Sequence, residues 1–117
     1  MKVKPLITIY ITNYNYEKYI EASIKSAINQ TYKNLEIIVI DDCSSDSSVN
    51  IIKKFKKKYM MKTIFNKNRK GLIKSANIAM RASKGKYLNW PNTLPNSNFK
   101  VHLKESFYRY FLFKNSL

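Results

Sequence analysis

Three of the chain's seven acidic residues, Asp41, Asp42 and Asp46, lie in one short segment, Val-Ile-Asp-Asp-Cys-Ser-Ser-Asp-Ser-Ser, from Val39 to Ser48. The rest of the chain is strongly basic: 22 Lys+Arg give a formal net charge of +15. Paired carboxylates at such a place can accept hydrogen bonds from an imide N–H or a sugar hydroxyl. They can equally satisfy turn amides, with the serines capping a helix. Two further polar clusters bear on the choice. One is Thr12-Asn13-Tyr14-Asn15, and the other holds Asn66, Asn68, Arg69 and Lys70. A tyrosine can flank a flat base. An arginine fork beside a lysine can meet a diphosphate.

The elements that position these clusters follow from hydrophobic spacing. Leu6–Thr12 is β-branched and apolar, which predicts a buried strand. Ile20, Ile24, Ala27 and Ile28 recur on one face of a helix running from Lys18 to about Asn29. Leu35–Ile40 predicts a second buried strand, and Ser44, Ser45 and Asp46 offer caps for a second helix. That helix is expected to turn Ile52, Phe55 and Tyr59 inward and its lysines outward. Lys62–Phe65 reads as a third strand. Gly71 precedes a third helix with Leu72, Ala76, Ala79 and Met80 on one face, and Gly85 is expected to end it as a C-terminal glycine would. Lys86–Trp90 reads as a fourth strand. Alternating strands and helices imply an α/β fold with a parallel, Rossmann-like sheet and flanking helices.

In such a sheet ligands bind outside the carboxyl ends of the strands. The three clusters each follow a strand, so they are expected to converge on one edge. An acidic end for a base and sugar and a basic end for phosphates describe a nucleotide-sugar pocket. Its expected residues are Thr12, Asn13, Tyr14, Asp41, Asp42, Asn68, Arg69 and Lys70.

Composition narrows the alternatives. The chain is 44% hydrophobic over 117 residues, enough for a core, so global disorder is excluded. Cys43 is the sole cysteine, so no intramolecular disulfide forms, and a reducing cytoplasm is the default. The apolar run after the first lysines is too short and too β-branched for a secretion signal, and no stretch reaches the ~18 apolar residues of a membrane span. The charge favours polyanionic partners or an anionic membrane, but 19 of the 22 cations are Lys. That argues against a specific nucleic-acid reader, which uses arginine forks on base edges. The same lysines, with the abundant Asn and Ile, also fit a biased gene composition.

The stretch Pro5–Ile52 resembles the opening of family 2 glycosyltransferases of GT-A fold, and so does Asn68–Leu88, Asn-Arg-Lys-Gly-Leu-Ile-Lys-Ser-Ala-Asn-Ile-Ala-Met-Arg-Ala-Ser-Lys-Gly-Lys-Tyr-Leu. A strand, a Tyr-Asn loop, Gln-Thr-Tyr, Ile-Asp-Asp, an Asn before Gly71, Ala-Asn and Gly-Lys-Tyr occur in the family's order and spacing. The resemblance implies sugar transfer from a nucleotide-sugar donor, UDP-linked by expectation, to a glycan or lipid-linked acceptor in cell-surface polysaccharide synthesis. The cytoplasm, at the inner face of the membrane, is the place it implies. The Thr12/Asn13/Tyr14 loop would lie near the base, Asp42 and Asp41 would hold uracil or ribose, and Asn68–Lys70 would lie near base and phosphates. Cys43 stands where the family has glycine.

The resemblance also implies Mg²⁺ or Mn²⁺, held by an Asp-x-Asp motif a few residues beyond Gly-Lys-Tyr, to offset charge on the departing diphosphate. Here Asn92 takes the place of the first Asp and Leu94 that of the second. The ligands of the motif are therefore absent. Glu105 and His102 match no catalytic base of the family. These departures predict a nucleotide-binding half over residues 1–90, a divergent basic and aromatic tail over 91–117, and an incomplete sheet, as an interrupted reading frame would leave. The tail's Val101–Phe113 is expected to be helical, with a composition suited to peripheral membrane contact.

Overall fold

The computed structural model describes residues 4–89. The proposed tail, with Asn92, Leu94, His102, Glu105 and the Val101–Phe113 helix, lies outside the described residues. Four strands and three helices alternate: β1 (Ile7–Asn13), α1 (Glu17–Ile28), β2 (Leu35–Asp41), α2 (Ser48–Lys58), β3 (Lys62–Phe65), α3 (Leu72–Ala82) and β4 (Tyr87–Asn89). The sheet order is β3-β2-β1-β4, and every pairing is parallel. The expected α/β architecture is therefore what the chain adopts.

β1 is buried along its whole length because both faces are covered. On one side, α1 and α2 supply Ile20, Ile24, Ala27 and Ile52 against Ile9, Ile11, Ile37 and Val39. On the other, α3 sets Ala79 and Met80 against Tyr10, Ile38, Ile40 and Leu88. This two-sided burial explains the unbroken apolar runs, which carry no polar-out alternation. Truncating one of these isoleucines to alanine costs about 2–5 kcal/mol through lost transfer energy and a cavity.

Register places the site. Asn13 pairs with Asp41, and Asp41 with Phe65, so the carboxyl ends of β1, β2 and β3 finish in one row. Chain reversal puts β4 on the far side of β1, which makes the β1–β4 boundary a switch point of the kind where α/β sheets take ligands.

Four local expectations are corrected. Ser44 and Ser45 do not cap α2. The helix starts at Ser48 after Ser47, and Asp46 Oδ1 accepts the Ser48 amide at 2.9 Å. Tyr59 is not turned inward. It follows the last residue of α2 in extended conformation and is 42% exposed. Leu72 is exposed in the first turn of α3, outside the apolar contact made by Ala76, Ala79 and Met80. Gly85 is not the C-cap of α3, which is Ser83. It is required by close approach: a Cβ there would press on Thr8 Oγ1 and come within 2.6 Å of the Thr8 backbone nitrogen. The Gly85 amide donates to Thr8 Oγ1 at 2.9 Å, which locks the entry of β4 against β1.

Candidate functional site

The carboxyl edge is built outward from two buried aspartates. Asp41 is 1% exposed and ends β2. Its Oδ1 accepts from Asn13 Nδ2 at 2.9 Å and from Ser44 Oγ at 2.7 Å, and its Oδ2 accepts the Ser44 amide at 2.9 Å. Both oxygens thus hold the turn that follows β2 to the end of β1. Asn15 extends the clasp. It sits at φ 53°, its amide donates to Ser44 Oγ at 2.9 Å, and its Oδ1 accepts the Ser45 amide at 2.8 Å. Asparagine tolerates this left-handed conformation better than most residues.

Asp42, 5% exposed, organises the other half. Its Oδ1 accepts from Asn66 Nδ2 at 3.0 Å and from the Lys70 amide at 2.8 Å, and its Oδ2 accepts the Gly71 amide at 2.9 Å. Gly71 stands at φ 89°, a conformation open to glycine, and this lets the chain turn its amide toward the carboxylate. Burial alone would raise the Asp42 pKa, but the Lys70 and Gly71 amides, Asn66 and the nearby Arg69 charge together hold it below the ordinary value.

Arg69 completes the edge. Its guanidinium carbon lies 3.7 Å from the centre of the Tyr14 ring, and its Nε lies 3.9 Å from Asp42 Oδ2. The cation is more than half exposed and is shared between an aromatic face and a buried anion. Tyr14, Asp42, Arg69 and Lys70 are brought together. Asn68 lies exposed on the same loop. Thr12 is buried within β1, one residue before the row of strand ends. Asn13 is buried too. Its Oδ1 has no hydrogen-bond partner among the described residues, an orphaned acceptor at the strand end.

Two contributors stand outside the eight expected site residues. Asn66 joins Asp42 to α3 by a second bond to Ser75 Oγ at 3.1 Å, and Ser44 is the hub of the β1–β2 clasp. The signal for Asn66 was its place directly after β3, beside the Asp41–Phe65 rung.

Asp46 lies apart from this edge. Its Oδ2 accepts the Glu17 amide at 3.0 Å, while Glu17 Oε2 accepts the Ser47 amide at 2.9 Å. Each helix start is therefore capped by an acid from the other. Of the three clustered acids, one closes the β1–β2 turn, one holds the β3–α3 loop and one ties α1 to α2.

A divalent cation finds no fitting ligand set here. Among the described residues no group of three or more His, Cys, Asp or Glu could hold a metal ion. The oxygens of Asp41 and Asp42 already accept internal donors.

A parallel sheet covered by helices on both faces, with its polar residues gathered at the carboxyl edge, is the Rossmann-like α/β architecture. Comparison makes the assignment narrower. The model for glycosyl transferase family 2 matches residues 8–92, and the chain belongs to that family. It is 45% identical over 84 residues to an uncharacterized glycosyltransferase of Haemophilus influenzae, covering 71% of this chain and 26% of that protein. It is 41% identical over 83 residues to the Escherichia coli UDP-Glc:alpha-D-GlcNAc-diphosphoundecaprenol beta-1,3-glucosyltransferase WfaP, covering 71% of this chain and 33% of the relative. Among solved structures, the Pyrobaculum calidifontis mannosyltransferase PcManGT, in complex with GDP-Man and Mn²⁺, superposes with TM-score 0.72 at 21% identity, over 78% of this chain and 28% of that one. S. aureus TarS 1-349 in complex with UDP-GlcNAc gives TM-score 0.68 at 27% identity, over 74% and 26%. These neighbours establish the GT-A fold. The chain spans about a quarter to a third of the two curated relatives.

Proposed function

We propose that the edge formed by Asn13, Tyr14, Asp42 and Arg69–Lys70 holds the nucleotide of a nucleotide-sugar donor, with uridine as the base. The reading is supported by one conjunction above all: Asp42, buried and held ionised, sits within reach of an arginine that stacks on Tyr14. A base stacking on Tyr14 takes the place of the Arg69 guanidinium, which then turns toward the diphosphate together with Lys70. Asn13 Oδ1 is an acceptor for a base or ribose donor. Asp42 keeps Lys70 and Gly71 in place. Thr12, Asp41 and Asn68 belong to the same proposed surface, Asp41 by fixing Asn13 and Ser44.

The proposed reaction is transfer of the donor sugar to a glycan or lipid-linked acceptor in cell-surface polysaccharide synthesis, on the cytoplasmic side of the membrane. Such transfer needs a base for the acceptor hydroxyl and a cation at the diphosphate. The described residues offer a fitting site for neither, so this sheet acts as the donor-binding part of the machinery. PcManGT with Mn²⁺ and TarS with UDP-GlcNAc are the relatives that support metal use and a uridine donor.

Calorimetric titration of the full chain with UDP, with and without Mn²⁺, tests the reading. The expected outcome is weak binding that changes little with metal and falls about tenfold or more in Asp42→Asn, which weakens charge-assisted bonds. Absence of binding at millimolar UDP would remove it. Joining the chain to the downstream half of a family member and following donor hydrolysis separates donor binding from turnover.

A further inference from the structure

The α2 segment carries a second surface, independent of the nucleotide edge. α2 reads Ser-Val-Asn-Ile-Ile-Lys-Lys-Phe-Lys-Lys-Lys and has no acidic residue in its first turn and three lysines in its last. Between α1 and the end of α2 lies an open groove of about 450 Å³, lined by Lys25, Lys54, Lys57, Lys58, Phe55 and Tyr59. Glu21 is the single acid on its wall, and it faces Lys25 at 3.8 Å. Directly after Tyr59, Met60 is 99% exposed. A long apolar side chain standing in water beside a ring of lysines is the pairing an interfacial anchor needs.

We propose that this surface docks on an anionic phospholipid bilayer, with the lysines against headgroup phosphates and Met60 and the Tyr59 edge entering the interface. Three observations choose lipid over nucleic acid. The cations of the groove are all lysines, point charges suited to a diffuse anionic plane and lacking the guanidinium fork that reads bases. Phe55 and Tyr59 stack on each other, with ring centres 6.0 Å apart, so they spend a face on one another and not on a base. Met60 offers no flat face at all. Geometry adds a fourth point. Crossover helices run back against the strands, so the end of α2 lies toward the amino end of β3, away from the carboxyl ends where Asp41 and Asp42 stand. Docking there leaves the nucleotide edge open to solvent.

Co-sedimentation of the full chain with phosphatidylcholine vesicles, with and without phosphatidylglycerol, tests the proposal. Binding is expected with phosphatidylglycerol alone, falling steeply with salt. The variant Lys54→Glu/Lys57→Glu/Lys58→Glu is expected to lose about a hundredfold or more in partition, from the loss of attraction at each lysine near the surface. A charge-matched control, Lys33→Glu/Lys74→Glu/Lys84→Glu, is expected to lose much less. Met60→Ser, which leaves the charge unchanged, is expected to weaken binding several-fold at every salt concentration. Equal losses in the two triple variants would overturn the proposal in favour of net charge alone. So would unchanged binding of Met60→Ser, or an oligonucleotide affinity that falls in the patch variant while vesicle binding persists. Circular dichroism of each variant confirms that the fold is retained.

Discussion

At the residue scale, Cys43 stands out because its type and its backbone disagree. It is exposed and sits at φ 64°, the left-handed region, in the turn directly after Asp42. A side chain there costs of order 1–3 kcal/mol, part of which glycine would return as unfolded-state entropy. Cys43→Gly is therefore expected to raise stability by about 1 kcal/mol in urea unfolding, with UDP binding unchanged. A loss of stability would show that the Cys43 Sγ contact to the Lys67 carbonyl, at 3.4 Å, outweighs the strain. Sequence reading placed Asp41 and Asp42 at the strand end but could not assign their partners. Apart from Ser44, those partners lie 24 to 29 positions away, and they become visible only when register brings Asn13 and the β3–α3 loop alongside.

At the element scale, the exchange of caps between α1 and α2 makes two helix starts depend on one pair of acids. Asp46 accepts amides of both Glu17 and Ser48. Asp46→Ala is expected to cost about 1–2 kcal/mol, the range for losing a cap. Amide exchange should quicken at the first turns of both helices together, although the substitution lies beside one of them. Exchange quickened at α2 alone would show the helices to be independent. The strands and helices themselves were legible because apolar runs and i, i+4 spacing are local signals. The true start of α2 was not, because Ser44 and Ser45 are drawn away by Asp41 and Asn15, a competition set by tertiary pairing. The exposure of Leu72 and Tyr59 escaped for a similar reason. Each continues the periodicity of its helix but stands at its end, Leu72 as the first residue of α3 and Tyr59 just past the last of α2.

At the scale of the whole molecule, acid should undo the fold through a few internal carboxylates. Burial alone would raise the pKa of Asp42, Asp46 and Glu36, yet hydrogen bonds from nearby amides and hydroxyls, and Lys62 beside Glu36, hold all three below their ordinary values. A depressed folded pKa means that the unfolded chain takes up protons first as pH falls. The stability these groups contribute is full above the ordinary values of 3.8 for Asp and 4.5 for Glu, and is lost as pH falls through the lower folded values. The urea midpoint is expected to hold steady from neutrality to about pH 5 and then drop, and the drop should be shallower in Asp42→Asn. A midpoint that rises on acidification would contradict this. Charge repulsion in a chain of net +15 deepens the acid loss.

The position of β1 governs the order in which the sheet can be completed. Its partner β2 arrives after a single helix, whereas β4 brings Gly85 against Thr8 across 77 positions of chain. Contacts of such separation form late, since the entropy of closing the loop is lost before the contact returns anything. During synthesis the Thr8 side of β1 therefore waits, unpaired, until Tyr87–Asn89 has been made. Any copy of β4 fits that vacancy equally well, its own or a neighbour's. Concentrated refolding should therefore yield intertwined dimers that exchange this strand, and dilution before the last strand docks should suppress them.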